Sequence, residues 1–83
     1  MMDWKLVLDQ AALTQLFAAP VQERSKAMAW LEGLSSRGPV RGEVIQRDEQ
    51  GRELQVLFKG DWMLTAWNDH ATKEIRVVDL VYV

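Results

Sequence analysis

The chain has 83 residues, a formal net charge of −2, a hydrophobic content of 48%, four Trp and no Cys. This length predicts one small globular domain over residues 1–83, and the lack of Cys excludes a disulfide framework and a thiolate metal site. Basic residues are dispersed among acids without a surplus, which disfavours nucleic-acid binding. Neither a secretory signal nor an apolar run of about 20 residues is present, so we expect a cytoplasmic protein without a membrane span.

The first part of the chain predicts a short strand followed by a helix. Residues 3–8 alternate in polarity, which is typical of a strand with one buried face. The apolar face of this strand contains Trp4, Leu6 and Leu8. Asp9 is suited to cap a helix from Gln10 to about Ala18, because its carboxylate can accept from free backbone N–H groups. The buried stripe predicted for this helix contains Ala12, Leu13, Leu16 and Phe17.

A second helix is predicted from Pro20 to about Leu34. Proline suits the first helical position, where its missing N–H costs nothing. The buried stripe predicted for this helix contains Val21, Ala27, Met28, Leu31 and Leu34. The connection between the two helices is short, so we expect an antiparallel helix hairpin.

The C-terminal part predicts an antiparallel meander. A weaker strand at 41–47 precedes three strands at 53–59, 61–68 and 74–83. Gly60 begins a two-residue connection that suits a type II′ hairpin turn, because glycine tolerates positive φ. The expected fold is α+β with the order β-α-α-β-β-β-β, and the helices should cover one face of the sheet.

Three segments resemble the RelE/ParE family of bacterial toxins. Residues 4–13 are similar to the opening strand and first helix of that family, 52–67 to its central hairpin, and 74–80 to its last strand. The resemblance covers nearly the whole chain as a pattern of elements with few identities. It implies a RelE/ParE-like domain from a type II toxin–antitoxin pair, whose ribonuclease members cut mRNA on the ribosome with Arg, Lys and Tyr or His.

The catalytic positions of those toxins are not matched. Met63 stands where the resemblance leads us to expect Arg, and Thr65 or Ala66 where it leads us to expect Tyr. The basic and aromatic residues that follow the last strand in the family have no counterpart. The resemblance therefore favours a protein-binding module without ribonuclease activity, and we assign no catalytic residue. The alternative is an mRNA endoribonuclease with a rearranged set consisting of Arg47, Lys59, His70 and Arg76.

Along the last strand, both the odd-numbered and the even-numbered positions are mostly apolar. Successive side chains of a strand point to opposite faces, so this pattern indicates burial on both faces. Helices on one face leave the other exposed, and an apolar patch of several hundred Å² is near the limit for a monomer. The interface predicted on this outer face contains Leu57, Met63, Trp67, Val78, Leu80 and Tyr82. We expect either a homodimer through this face or an antitoxin-like segment laid over it.

Other candidate sites have simpler interpretations. His70 lies in a predicted hairpin loop without a nucleophile beside it, and no carboxylate cluster has metal-ligand spacing, so we expect neither a metal nor a cofactor. A third hypothesis is a small-molecule pocket between the sheet and the helices. Its predicted lining is Trp30, Trp62 and Met28, but we favour the simpler interpretation that these residues belong to the core.

Overall fold

The computed structural model describes residues 4–83, which form two helices and one five-stranded sheet. The elements are β1 (Lys5–Leu8), α1 (Gln10–Ala18), α2 (Val21–Ser36), β2 (Val44–Arg47), β3 (Glu53–Lys59), β4 (Trp62–Asp69) and β5 (Glu74–Tyr82). This order confirms the predicted α+β fold. The predicted first strand began at Asp3, which lies outside the described residues.

The sheet has the strand order β1-β5-β4-β3-β2. The strands β2 to β5 form an antiparallel meander, and β1 adds to its far edge in parallel with β5. Parallel neighbours need a long crossover connection. The chain between β1 and β5 supplies it, and both helices lie on the same face, with α1 over β5.

The helix boundaries agree with the sequence to within two residues, and Pro20 is the N-cap of α2 rather than its first helical residue. Asp9 occupies the N-cap position of α1 as predicted, but within residues 4–83 its side chain does not make the expected capping hydrogen bond. The end of α1 is instead held by Arg24 of α2. Its Nη2 donates to the carbonyl oxygens of Phe17 and Ala19 at 3.1 and 3.4 Å, which satisfies acceptors that a helix C-terminus leaves free.

The buried stripes of the helices are narrower than predicted. The residues that are buried are Ala12, Leu16, Ala27, Leu31 and Leu34. The predicted stripe residues Leu13, Phe17, Val21 and Met28 are 40%, 58%, 68% and 46% exposed. A single helix layer explains the difference, because each helix meets the sheet along one narrow line and no further element covers its flank.

A β-bulge in β5 changes which side chains face the helices. Thr65 pairs with Asp79 and Ala66 with Val77, so Val78 is an extra residue between two paired positions. An extra residue reverses the alternation of a strand. The core residues of β5 are therefore Ile75 and Val77 before the bulge, and Leu80 with the adjoining Tyr82 after it.

This phase change corrects the predicted outer face. Leu80 is fully buried against the helix layer, and Tyr82 packs beside it, 5.1 Å from the ring of Trp62. The apolar residues before and after the bulge thus lie mainly on the helix face, and Val81 lies on the other. Leu57 also faces the helices, because it pairs with buried Leu64. The outer-face placement of Leu57, Leu80 and Tyr82 was wrong.

The turn between β3 and β4 sets the register of the central hairpin. Gly60 has a φ of 58°, and among the described non-glycine residues only Lys73 has a positive φ, so Asp61 does not. Positive φ at the first central residue alone is the type II′ pattern that the sequence predicted. It pairs Lys59 with Trp62.

Candidate functional site

The face of the sheet opposite the helices carries an apolar patch that no helix covers. We call these residues the outer patch: Val44, Leu54, Val56, Phe58, Met63 and Val81. Its centre is a row across three strands, in which Met63 pairs with Phe58 on one side and Val81 on the other. Phe58 is 50% and Val44 46% exposed, whereas Val56 is already buried.

The outer patch differs from the prediction on β3. Leu57 was expected to face outward, which would turn the alternating side chains Leu54, Val56 and Phe58 toward the helices. A signal in the sequence contradicts that expectation: a two-residue turn at Gly60 pairs Leu57 with Leu64, a predicted core residue. Directly paired side chains point to the same face of a sheet. The hairpin register would therefore have identified the outer patch, whereas polarity along β3 alone did not.

The outer face becomes charged around Trp67, at the end of the sheet away from Gly60. The guanidinium carbon of Arg52 lies 4.6 Å and that of Arg76 5.7 Å from the centre of the Trp67 ring. Cations at these distances are attracted to an indole. Both arginines are also ion-paired, Arg52 with Asp48 at 2.7 Å and Arg76 with Glu74 at 2.7 Å. Their charges are therefore largely neutralised by neighbouring carboxylates.

Asp69 gives this charged end a second carboxylate near Arg76. Burial acts to raise the pKa of Asp69, but hydrogen bonds from Thr72 and Ala71 and the positive charge of Arg76 outweigh it. The net pKa lies below the ordinary value of 3.8, so the carboxylate is ionised at neutral pH. The nearest Asp69 oxygen is 3.6 Å from Nε of Arg76.

The four residues of the ribonuclease hypothesis are not brought together. Arg47 is on β2 and faces the helix side, where it forms an ion pair with Glu53 at 3.5 Å. Arg76 is on the outer face of β5, three strand spacings or about 14 Å away. Lys59 lies at the opposite end of β3, about 20 Å along the strand from Glu53. His70 is in the exposed β4–β5 loop.

His70 has a structural partner rather than a nucleophile. Its ring meets the indole of Trp4 edge-on with 5.3 Å between centroids. Trp4 is 6% exposed and belongs to the core, as the sequence predicted. The contact places His70 against Trp4, next to the start of β1.

A cavity of about 540 Å³ lies between α2 and the β3–β4 turn. It is lined by two of the three residues that the sequence suggested for a pocket, Trp30 and Trp62. The third, Met28, points elsewhere on α2 and is 46% exposed.

Two other site classes receive no support in the part of the chain that the structure describes. Over residues 4–83, no group of three His, Cys, Asp or Glu side chains is placed to hold a metal ion. Neither helix in that range is long and apolar enough to cross a membrane.

Two solved structures are similar to this chain over nearly its whole length. A chain of the toxin–antitoxin complex RelBE2 from Mycobacterium tuberculosis is 13% identical with a TM-score of 0.77, and the match covers 99% of this chain and 100% of that one. A chain of the archaeal RelE–RelB complex from Pyrococcus horikoshii OT3 is 15% identical with a TM-score of 0.76, covering 98% and 96%. No protein-family model and no curated protein matches the sequence. The agreement of the complete fold confirms the predicted resemblance: this chain has the fold of the RelE-type toxins of toxin–antitoxin systems.

Proposed function

We propose that this RelE-like scaffold is a protein-binding module without ribonuclease activity. Its outer patch would receive a segment of an antitoxin-like partner. The observation that carries the proposal is the row formed by Phe58, Met63 and Val81, which is apolar across three strands at the place where the family resemblance implies a catalytic Arg.

The chemistry of this row suits protein better than RNA. RNA cleavage requires cations that stabilise a developing negative charge, and a phosphate backbone is held by unpaired Lys and Arg. Two guanidinium groups on the same face, those of Arg52 and Arg76, are occupied by Asp48 and Glu74. Half-exposed Phe58 and Val44 instead offer the kind of apolar surface that forms the centre of protein interfaces.

An antitoxin-like segment is the occupant that the similar structures favour. Both were solved as toxin–antitoxin complexes. A second copy of this chain is the other candidate for the same surface, since an apolar patch can be closed by two-fold symmetry. Light scattering of the purified chain at about 50 μM separates the two, because a patch dimer with a Kd below that value would be seen as twice the mass.

The binding test compares two Phe→Glu variants on opposite layers of the molecule. Phe58 and Phe17 are 50% and 58% exposed, so the substitutions differ mainly in location. The partner to be tested is the product of any small gene found adjacent to the gene for this chain, co-expressed with each variant. We expect Phe58→Glu to weaken the complex about 30-fold, the effect of losing about 2 kcal/mol at an interface centre, and Phe17→Glu to leave it intact.

The absence of ribonuclease activity is tested separately. The chain is expressed under an inducible promoter in bacteria, and mRNA cleavage is followed by primer extension together with growth. We expect no cleavage and no translation arrest. Cleavage that disappears when Arg76 or Lys59 is replaced by Gln would establish the endoribonuclease alternative instead.

A further inference from the structure

The cavity beside α2 has the dimensions and the lining of a small-molecule site. Its volume of about 540 Å³ is within the range of ~300–1,000 Å³ typical of ligand pockets. It lies on the helix side of the sheet and is therefore separate from the outer patch. The lining residues are Glu23, Lys26, Ala27, Ala29, Trp30, Lys59, Gly60, Asp61 and Trp62.

Two indoles form the aromatic part of the lining. Trp62 is 4% exposed and is held from the core side by the Tyr82 ring at 5.1 Å. Trp30 is half-buried and reaches the cavity from α2. Ala27 and Ala29 also line the cavity, and their small side chains leave space for a flat ring. Such a ring packs on an aromatic side chain edge to face or offset, with ~4.5–7 Å between ring centroids.

The indole N–H of Trp62 is an unsatisfied donor. It is buried, and among the described residues no acceptor lies within hydrogen-bond distance. A buried donor without a partner is costly, and tryptophan N–H groups in proteins usually find one. Because this N–H is also out of reach of solvent, a molecule in the cavity does not contact it, and Trp62 lines the cavity through other atoms.

Of the charged side chains that line the cavity, two form an ion pair with each other and two have no partner among the described residues. Glu23 and Lys26 form an ion pair at 3.1 Å. In contrast, Lys59 and Asp61 on the hairpin make no side-chain hydrogen bond or ion pair with any described residue. The ammonium of Lys59 is then a free donor at the cavity, and Asp61, also on the turn, is a free carboxylate.

We propose that the cavity binds a small planar aromatic molecule that carries a carboxylate, with its ring against Trp30 and the small exposed part of Trp62 and its anionic group at Lys59. This site is independent of the protein-binding function proposed above, because it lies on the other side of the sheet. A ligand of this class fits both the aromatic lining and the unpaired ammonium of Lys59. Asp61 would exclude ligands that carry a second negative charge near the turn.

The experiment titrates the ¹⁵N-labelled chain with three naphthalene probes of the same shape. They are 1-naphthaleneacetate, its neutral amide and the cationic 1-naphthylmethylamine. The four Trp indole N–H signals provide the readout, and a Trp62→Phe variant assigns the signal of Trp62. We expect the acetate to bind with a Kd below about 1 mM and to shift the Trp62 signal, with the amide about fivefold and the amine at least about tenfold weaker.

Two variants check the assigned roles. Lys59→Gln should remove the preference for the acetate over the amide while leaving the binding of the amide unchanged. Trp67→Phe removes an indole from the opposite face and should change neither affinity. Because Lys59 is exposed, its substitution is not expected to unfold the domain.

Three outcomes would overturn the proposal. The first is that no Trp30 or Trp62 signal shifts with the acetate at concentrations up to about 5 mM. The second is that the amine binds as well as the acetate, and the third is that Lys59→Gln leaves the acid–amide preference intact. None of these outcomes bears on the complex tested with Phe58→Glu, so the two proposals fail separately.

Discussion

The side chain of Asn68 ties the segment before β2 to the middle of the sheet, and its removal is the most informative test of the fold. Its Oδ1 accepts from the backbone N–H of Val40 and its Nδ2 donates to the carbonyl of the same residue, both at 2.9 Å. Val40 is 7% exposed, so water does not readily replace these bonds. The bridge spans 28 positions of the sequence.

Asn68→Ala removes both hydrogen bonds and leaves two backbone groups without partners. Each net hydrogen bond contributes about 1 kcal/mol, and an unsatisfied buried group costs about 1–3 kcal/mol, so we expect a loss of about 3 kcal/mol in unfolding free energy. A domain of this size has only about 4–12 kcal/mol in total. At ~4–8 °C per kcal/mol, the melting temperature should fall by roughly 12–24 °C.

Urea unfolding followed by tryptophan fluorescence and circular dichroism measures this loss. Gln46→Ala is the matched control, because Gln46 carries the same amide group on an exposed strand, and it should change stability by less than about 0.5 kcal/mol. A loss below about 1 kcal/mol for Asn68→Ala, with an unchanged denaturant slope, would refute the reasoning. It would mean that water or a rearranged loop replaces both bonds.

The remaining predictions concern the bulge, a strained turn and pH. Leu80→Ala should cost about 2–5 kcal/mol, because it empties a fully buried position, whereas Val81→Ala on the outer patch should cost less than about 1.5 kcal/mol; equal losses in urea unfolding would contradict the bulge. Lys73 has a φ of 57°, so Lys73→Gly should raise the melting temperature, in line with a gain of about 1 kcal/mol. Because the pKa of Asp69 is lowered in the folded state, its contribution is complete above the ordinary value of 3.8 and is lost as the pH falls through the folded pKa. Acid unfolding curves should show this loss in the unmodified chain and a shallower pH dependence in Asp69→Asn.

The candidate sites were only partly predictable. Met63 and Trp67 lie on the outer face as the sequence suggested, whereas the bulge residue Val78 has no paired residue on β4. Whether they form an interface is a matter for the binding experiments. The neighbours that complete the outer patch were missed, since Leu54 and Phe58 look like core residues when β3 is considered alone.

Local patterns in the sequence determined the elements of this protein. Pro20 separates the helices, Gly60 makes the tight turn, and alternation from Trp62 onward marks a strand with one buried face. These features depend on backbone conformations and on contacts between close neighbours in the chain. These features can therefore be predicted from the sequence.

Only the tertiary structure decided which faces were buried. The bulge at Val78 lies in the pairing of β5 with β4, and it moves Leu80 from the predicted outer face into the core. The helices reach β5 but leave the outer patch and one flank of each helix exposed, so Phe17 and Phe58 are both half-exposed for different reasons. Strand register and helix coverage depend on residues that are far apart in sequence, and a one-residue change in pairing reverses every side chain that follows it.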